Sequence, residues 1–315
     1  MNELIPSEQP NQLPQQEKQI TPDMYQQFIH YVDAMPNTVK TYTRALKQFF
    51  KYLYENGIQQ PQRSEVLAFR DYLKDTGKKA STVQSYIVAV RLFFQWTAQQ
   101  GYYPNIADKI KGASVSKGHK KDYLTTGQIQ DILNSIERDT LKGLRDYAIL
   151  ALMVTCGLRT IEVSRANIED LRNVGDTSAL YIQGKGREDK TEYVKLAPPV
   201  EKAIRNYLKA AQASNPTQPL FTSTSNNNKG KRLTTRSISS IVKERMKKAG
   251  YDSDRLTAHS LRHTAGTLNL MNGGTLEETQ QLLRHSNINT TMVYLHHLER
   301  ANNQSEQRIA GAIFK

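Results

Sequence analysis

Apolar positions from Thr21 onward recur every three or four residues, the spacing of helices that each bury one face. Asn37 is expected to cap a helix that runs to about Asn56 and stops at Gly57. Along it Val39, Tyr42, Leu46, Phe49, Phe50 and Leu53 form an apolar stripe, while Lys40, Arg44, Lys47 and Lys51 fall on a different face. Ser81 and Gln84 have capping-box spacing at the head of a second helix, whose buried stripe would be Val83, Ile87, Val90, Phe94 and Ala98. Weaker helical patterns at 22–34 and 63–76 complete an all-α domain over residues 21–110.

The pattern changes in the second part of the chain, residues 123–315. Thr126 is expected to cap a helix through about Glu137, and the nearly continuous apolar run from Leu141 to Cys156 predicts a long, buried one. Segments 168–171, 179–182 and 192–196 are short, β-rich and divided by turn residues. They predict a small antiparallel sheet with GKGRED as an exposed hairpin. Helical spacing resumes at Pro199 and continues to the end, with loops at 214–219 and 225–233. The expected fold is mainly α with one small antiparallel sheet, an α+β second domain behind an all-α first one. Residues 111–122 form a basic linker containing KGASVSKGHKK, suited to a phosphate backbone or to a solvated tether. Residues 1–20, with three Pro and five Gln and no period, are expected to be disordered.

Length and composition narrow the class. A chain of 315 residues exceeds one ordinary core, and 38% hydrophobic with 23% charged residues reads as soluble and globular. No stretch approaches the roughly 20 apolar residues of a membrane helix. The opening MNELIPSEQP lacks a signal-peptide pattern, so a cytoplasmic location without membrane association is expected. One cysteine, Cys156, excludes an internal disulfide and a multi-cysteine zinc site. Charge says more. Lys and Arg number 43 against 30 Asp and Glu, a formal +13. Residues 21–120 carry 14 positive and 7 negative side chains, and residues 121–315 carry 28 and 20. A ligand touching both basic domains would be a long polyanion, which duplex DNA satisfies.

Neither GxxxxGK[ST], nor HExxH, nor an acidic cluster at metal-ligand spacing occurs, so no metal and no cofactor is expected. Chemistry then falls to Arg, Lys, His, Tyr and Ser/Thr, an inventory suited to phosphoryl transfer with protein cations stabilising the charge. Four patches supply them. CGLRTIEV has Gly157 ending a helix, then Arg159 and Glu162 three residues apart. Lys185 stands between two glycines at the hairpin tip. In AHSLRHT, His259 and Arg262 share a helical face. In LLRHSNINTTMVYLHH, Tyr294 follows His285 by nine residues.

These patches, in this order, resemble the signature boxes of the tyrosine recombinase (phage integrase) family, as GLRTIEV, IQGKG, HSLRHTAGT and LLRHSNINTTMVY. TVKTYTRALKQFF and STVQSYIVAVRLFFQW resemble the family's helical core-binding domain, so the likeness runs from about residue 22 to the end and is to simple two-domain, Xer-like members. The resemblance implies a C-shaped DNA clamp and a nucleophile at Tyr294 that leaves a 3′-phosphotyrosyl bond. It implies that Arg159, Arg262 and His285 hold the phosphate oxygens, that Lys185 is the general acid, and that His259 moves protons. Glu162 would hold Arg159. Lys190, in the same hairpin, is the alternative to Lys185. Further implied are inverted-repeat core sites in double-stranded DNA, a homodimer on each site and a homotetramer in synapsis. The C-terminal helix, 305–315, would dock in trans, with packing on its own domain as the alternative.

Two departures stand out. Arg284 occupies a position usually held by Gly and is expected either to touch DNA or to crowd its turn, and Ala166 replaces a common Leu. Lys40, Arg44, Lys47, Lys51, Lys120 and Lys121 are the other expected DNA contacts, with a solvated face as the alternative for the first four. Integration or excision of a mobile element and resolution of cointegrates or dimers remain open roles. The competing functions are a type IB topoisomerase-like relaxing enzyme and a DNA-binding regulator without catalysis.

Overall fold

The computed structural model of the chain describes residues 20–114, 122–184 and 186–314. The chain divides into two units, one up to Lys117 and one from Gly118. Residues 1–19, most of the basic linker, Lys120, Lys121 and Lys185 lie outside the described residues.

The first unit is built from α1 (Pro22–Tyr31), α2 (Pro36–Glu55), α3 (Arg63–Asp75) and α4 (Ala80–Gln99). Leu46, Phe49 and Leu53 of α2 and Val83, Ile87, Val90 and Phe94 of α4 are buried in one core. Rings knit it together edge to face, with Phe49 at 5.0 Å from Phe69 and Phe50 at 5.4 Å from Phe93. Lys40, Arg44, Lys47 and Lys51 are exposed, away from that core.

Three local expectations are corrected here. Helix α2 starts at Pro36, not at an Asn37 cap, because proline at the first turn presets φ and needs no hydrogen-bond partner. Helix α4 starts at Ala80 without the Ser81–Gln84 capping box. Ala98 is exposed, and Thr97 is buried in its place. The Thr97 hydroxyl bonds to the carbonyls of Phe94 and Tyr103, which lets a polar residue close the stripe.

In the second unit the chain runs through α5 (Thr126–Asn134), α6 (Leu141–Cys156), α7 (Thr160–Arg165), β1 (Leu171–Val174), β2 (Thr177–Ile182) and β3 (Glu192–Lys195). It continues through α8 (Pro198–Ala210), α9 (Thr235–Lys248), α10 (Ala258–Met271), α11 (Leu276–Leu283), α12 (Asn289–Asn302) and α13 (Ser305–Ile313). Helix α6 is buried on nearly every side and carries α8, α9 and α10. The strands form one antiparallel sheet in the order β1-β2-β3, with Leu180 paired to Leu171 and Val194.

Two boundaries moved. Thr125, not Thr126, caps α5 through a reciprocal box with Gln128, and the helix ends at Asn134. The first strand starts at Leu171 because Ile168–Asp170 coils into a 3₁₀ turn, held where the Asp170 carboxylate accepts the Asn167 N–H at 2.7 Å.

Beneath the helices, Asp146 of α6 accepts from Arg145 at 2.9 and 2.7 Å and from Arg245 of α9 at 2.9 and 2.6 Å. All three side chains are buried. Neutralising the shared carboxylate would strand two guanidiniums in the interior. Asp146→Asn should therefore lower unfolding free energy by about 3–5 kcal/mol, read from urea denaturation of the intact chain.

Candidate active site

The end of α6 is the foundation of the site. Gly157 closes that helix at φ 57, a left-handed conformation that favours glycine, and a Cβ there would sit 2.7 Å from Leu283 Cδ2. Only glycine meets both demands. Helix α7 follows at once, with Arg159 as its cap residue and Glu162 at its third position.

Glu162 is fully buried and receives three donors. The Arg159 backbone N–H reaches Oε2 at 2.8 Å, and Arg159 Nη1 reaches Oε1 at 2.9 Å. Arg284 Nη2 reaches Oε2 at 2.9 Å. Spacing of three thus acts as a capping box, in which the helix start and the guanidinium are fixed by one carboxylate.

Arg262, on α10, is 1% exposed. Its Nη1 donates to the Gly157 carbonyl at 2.6 Å and its Nη2 to the Leu283 carbonyl. Carbonyls at a helix C-terminus have no intrahelical partner and carry the negative end of the helix dipole, so they suit a buried cation. Burial, reinforced by the charges of Arg159 and Arg284, pushes the Arg262 guanidinium down to about 9. It stays cationic at neutral pH.

Tyr294, on α12, is 4% exposed and packs with Ala265 and Leu283. Its ring centroid lies 5.3 Å from His263 and 6.3 Å from His285, which stacks on it at 19°. Gly266 leaves room, since a Cβ there would lie 3.4 Å from Tyr294 Cε1 and 2.8 Å from Leu283 Cδ1. Burial lifts the phenol to about 12, against the pull of Arg262 and Arg159, which favour the phenolate.

His285 Nδ1 lies 2.9 Å from the hydroxyl of buried Thr291. Burial first, then Arg262, Arg159, Arg284 and His259, lower its imidazole to about 4. A neutral His285 can still donate one N–H to an oxygen. His259 is exposed on α10, with its ring 4.5 Å from that of His263. His263 is buried on the same helix. It stands one turn beyond His259, and that spacing was the available signal for its place beside the phenol.

Arg284, expected either to touch DNA or to crowd its turn, is nearly buried. Its side chain is 8% exposed and turns inward to Glu162 and to the carbonyls of Leu282, Gly157 and Cys156. It forms a buried clamp, because α6 ends beside it with carbonyls that have no intrahelical partner. Lys190 is also engaged, with Nζ 2.5 Å from Asp170 Oδ2. Ala166 is buried and its carbonyl accepts from Leu220 N–H and Arg232, a packing position. Among the described residues no group of three or more His, Cys, Asp or Glu is placed to hold a metal. No described helix is long and apolar enough to cross a membrane.

The low titration of His285 has a consequence for folding. An unfolded chain protonates this imidazole near 6.5, and the folded chain only near 4. Its contribution to stability is complete above 6.5 and is lost as pH falls towards 4. Thermal melts from pH 7 to 4 should show His285→Gln losing stability less steeply than the parent; parallel curves would contradict this.

Comparison with known proteins shows what both units of the chain resemble. The Phage integrase family matches residues 122–300, and the Phage integrase N-terminal SAM-like domain matches residues 23–101. The tyrosine recombinase XerD of Listeria monocytogenes is 29% identical over 288 residues, covering 87% of this chain and 94% of that protein. The tyrosine recombinase XerC of Caldanaerobacter subterraneus is 27% identical, covering 87% and 83%. Among solved structures, XerH bound to its difH substrate after cleavage superposes with TM-score 0.65 at 22% identity, covering 87% of this chain and 78% of that one. The Tn1549 transposon integrase with circular-intermediate DNA gives 0.67 at 18%, covering 86% and 93%. With both units matched in order and the catalytic-domain match alone spanning more than half of its length, this chain belongs to the phage integrase family of tyrosine recombinases.

Proposed function

We propose that this site-specific tyrosine recombinase cuts and rejoins duplex DNA with Tyr294 as nucleophile and Arg159 and Arg262 as the charge-stabilising pair. The observation that carries the reading is a buried phenol on which His285 stacks and whose ionisation is favoured by Arg262 and Arg159, the four residues coming from four separate helices or their ends. In the forward step the Tyr294 oxygen attacks phosphorus, an Oη–P bond forms and the P–O5′ bond breaks. The phenolic proton passes to His259, with His263 lying between the two rings as a neighbour of both. The departing 5′-oxygen takes a proton from Lys185. Lys190, paired with Asp170, is less available for that role.

Charge is the main energetic demand. The transition state gathers negative charge on the non-bridging oxygens, and preorganised guanidiniums stabilise it without reorganising. The phosphotyrosyl ester keeps the energy of the phosphodiester, so a 5′-hydroxyl from a partner strand can reverse the attack, and no ATP is required. A phenol that is 4% exposed must be uncovered to reach a phosphate. Assembly on DNA is the natural trigger for this.

Helix α13 supports assembly through its tail. Ile309, Ile313 and Phe314 are 59%, 66% and 82% exposed, and no residue of α13 is buried. Packing on its own domain is not what this geometry favours. A neighbouring catalytic domain is the proposed cover, with two protomers on inverted-repeat core sites and four in synapsis. The exposed stripe Lys40, Arg44, Lys47 and Lys51 suits phosphate contact in the first unit.

Sites can be recovered by sequencing DNA covalently held by the protein, then rebuilt as nicked duplexes that trap the adduct. Tyr294→Phe should give no adduct, and Arg159→Ala or Arg262→Ala should slow it about 10²–10³-fold. Adduct from Tyr294→Phe would end this reading. Relaxation of plasmids lacking any recovered site would favour a topoisomerase, and binding without any adduct a silent regulator. Removal of residues 305–315 should leave the melting temperature of the monomer unchanged and abolish recombination. Full recombination by the truncated chain would refute docking in trans.

A further inference from the structure

We propose that Arg284 is a positioning residue that locks the carboxylate holding Arg159 to the helix end holding Arg262. The inference rests on the reading of Tyr294, Arg159 and Arg262 as the reacting machinery.

Three observations carry it. Arg284 adopts φ 52, a left-handed conformation that costs a side chain steric strain and would suit glycine. The strained residue is nevertheless buried and committed at both ends of its guanidinium. Nη2 donates to Glu162 Oε2 at 2.9 Å and to the Gly157 carbonyl at 3.2 Å. Nη1 donates to the Leu282 carbonyl at 2.6 Å and approaches that of Cys156 at 3.4 Å. One planar group therefore ties α7, the end of α6 and the turn after α11, and the next residue in that turn is His285. A lysine ammonium lacks the fork that spans these partners.

Position also sets charge. Arg284 and Arg159 both pair with Glu162, and Arg262 feels the charge of all three. Burial is the largest influence on the His285 imidazole, and the charged groups that add to it are Arg262, Arg159, Arg284 and His259. Removing one of these cations should ease protonation of His285, which a purely steric role for Arg284 would not do.

The test uses the full chain with Arg284→Gly, which suits φ 52, and Arg284→Lys, which keeps the charge but not the fork. Three quantities are read: the rate of covalent adduct on a nicked site, the affinity for the same duplex, and the His285 titration by NMR. Arg284→Gly should slow adduct formation about 10- to 100-fold with affinity nearly unchanged, and should raise the His285 midpoint. Arg284→Lys should hold the midpoint low and remain slow. A wild-type rate in Arg284→Lys overturns the proposal, as does a loss in Arg284→Gly that merely follows weaker DNA binding. Should the glycine variant fail to fold, the lysine variant decides alone. If the unaltered chain gives no more adduct than Tyr294→Phe, the underlying site assignment has failed instead.

Discussion

Glu162 has no exposed surface, and an isolated carboxylate at that depth would be neutralised or expelled. It persists because two guanidiniums and a backbone N–H converge on its two oxygens. The reverse dependence is equally strict. Arg159 and Arg284 would repel one another across a few ångströms without an anion between them. The pair of arginines and the carboxylate make sense only together, and the path of α7 follows, since its first turn is capped by that same carboxylate.

Helix α6 supplies the second half of the support. It is apolar on nearly every face, so packing fixes its position in the core, with the buried Asp146 pair to Arg145 and Arg245 adding a polar anchor. Its C-terminal carbonyls then become a fixed, electronegative rim to which Arg262 and Arg284 bind. Hydrophobic burial thus places the cations. Their reactive geometry is set by a helix whose own side chains do no chemistry, which is why Gly157, at the corner, tolerates neither a Cβ nor another backbone conformation.

Much of this was legible in the residue order. The three-residue spacing of Arg159 and Glu162 and the boxes holding Arg159, Arg262 and Tyr294 pointed to residues that the structure brings near one another, and the stripes of α2 and α4 pointed to the first core. What escaped depended on contacts far apart in sequence. Arg284 looks like a surface cation in LLRHS, because nothing local says that α6 ends beside it. His263 looks like filler until α12 lays Tyr294 across it. Ala98 lost its place to Thr97 because a hydroxyl that finds two carbonyls can be buried as cheaply as a methyl. Capping errors at Asn37, Ser81 and Thr126 share a cause: several adjacent residues could have served, and tertiary packing chose among them.

Buried cations and a buried phenol impose opposite requirements on the same site. The arginines gain strength from exclusion of water, since electrostatic interactions grow as the local dielectric falls. The phenol loses reactivity for the same reason, and its proton is held more tightly at about 12 than in water. A duplex phosphate seated against Arg159 and Arg262 would bring an anion to the cations while the tyrosine is still protonated. Under the proposed reading, phenolate formation would then fall to the moment when the proton can leave towards the histidines on α10, so cleavage would be withheld until substrate and proton acceptor are both in place. A transesterase that must not nick DNA at random benefits from that order. Should the exposed apolar face of α13 dock on a second protomer as proposed, the last condition would lie outside the single chain.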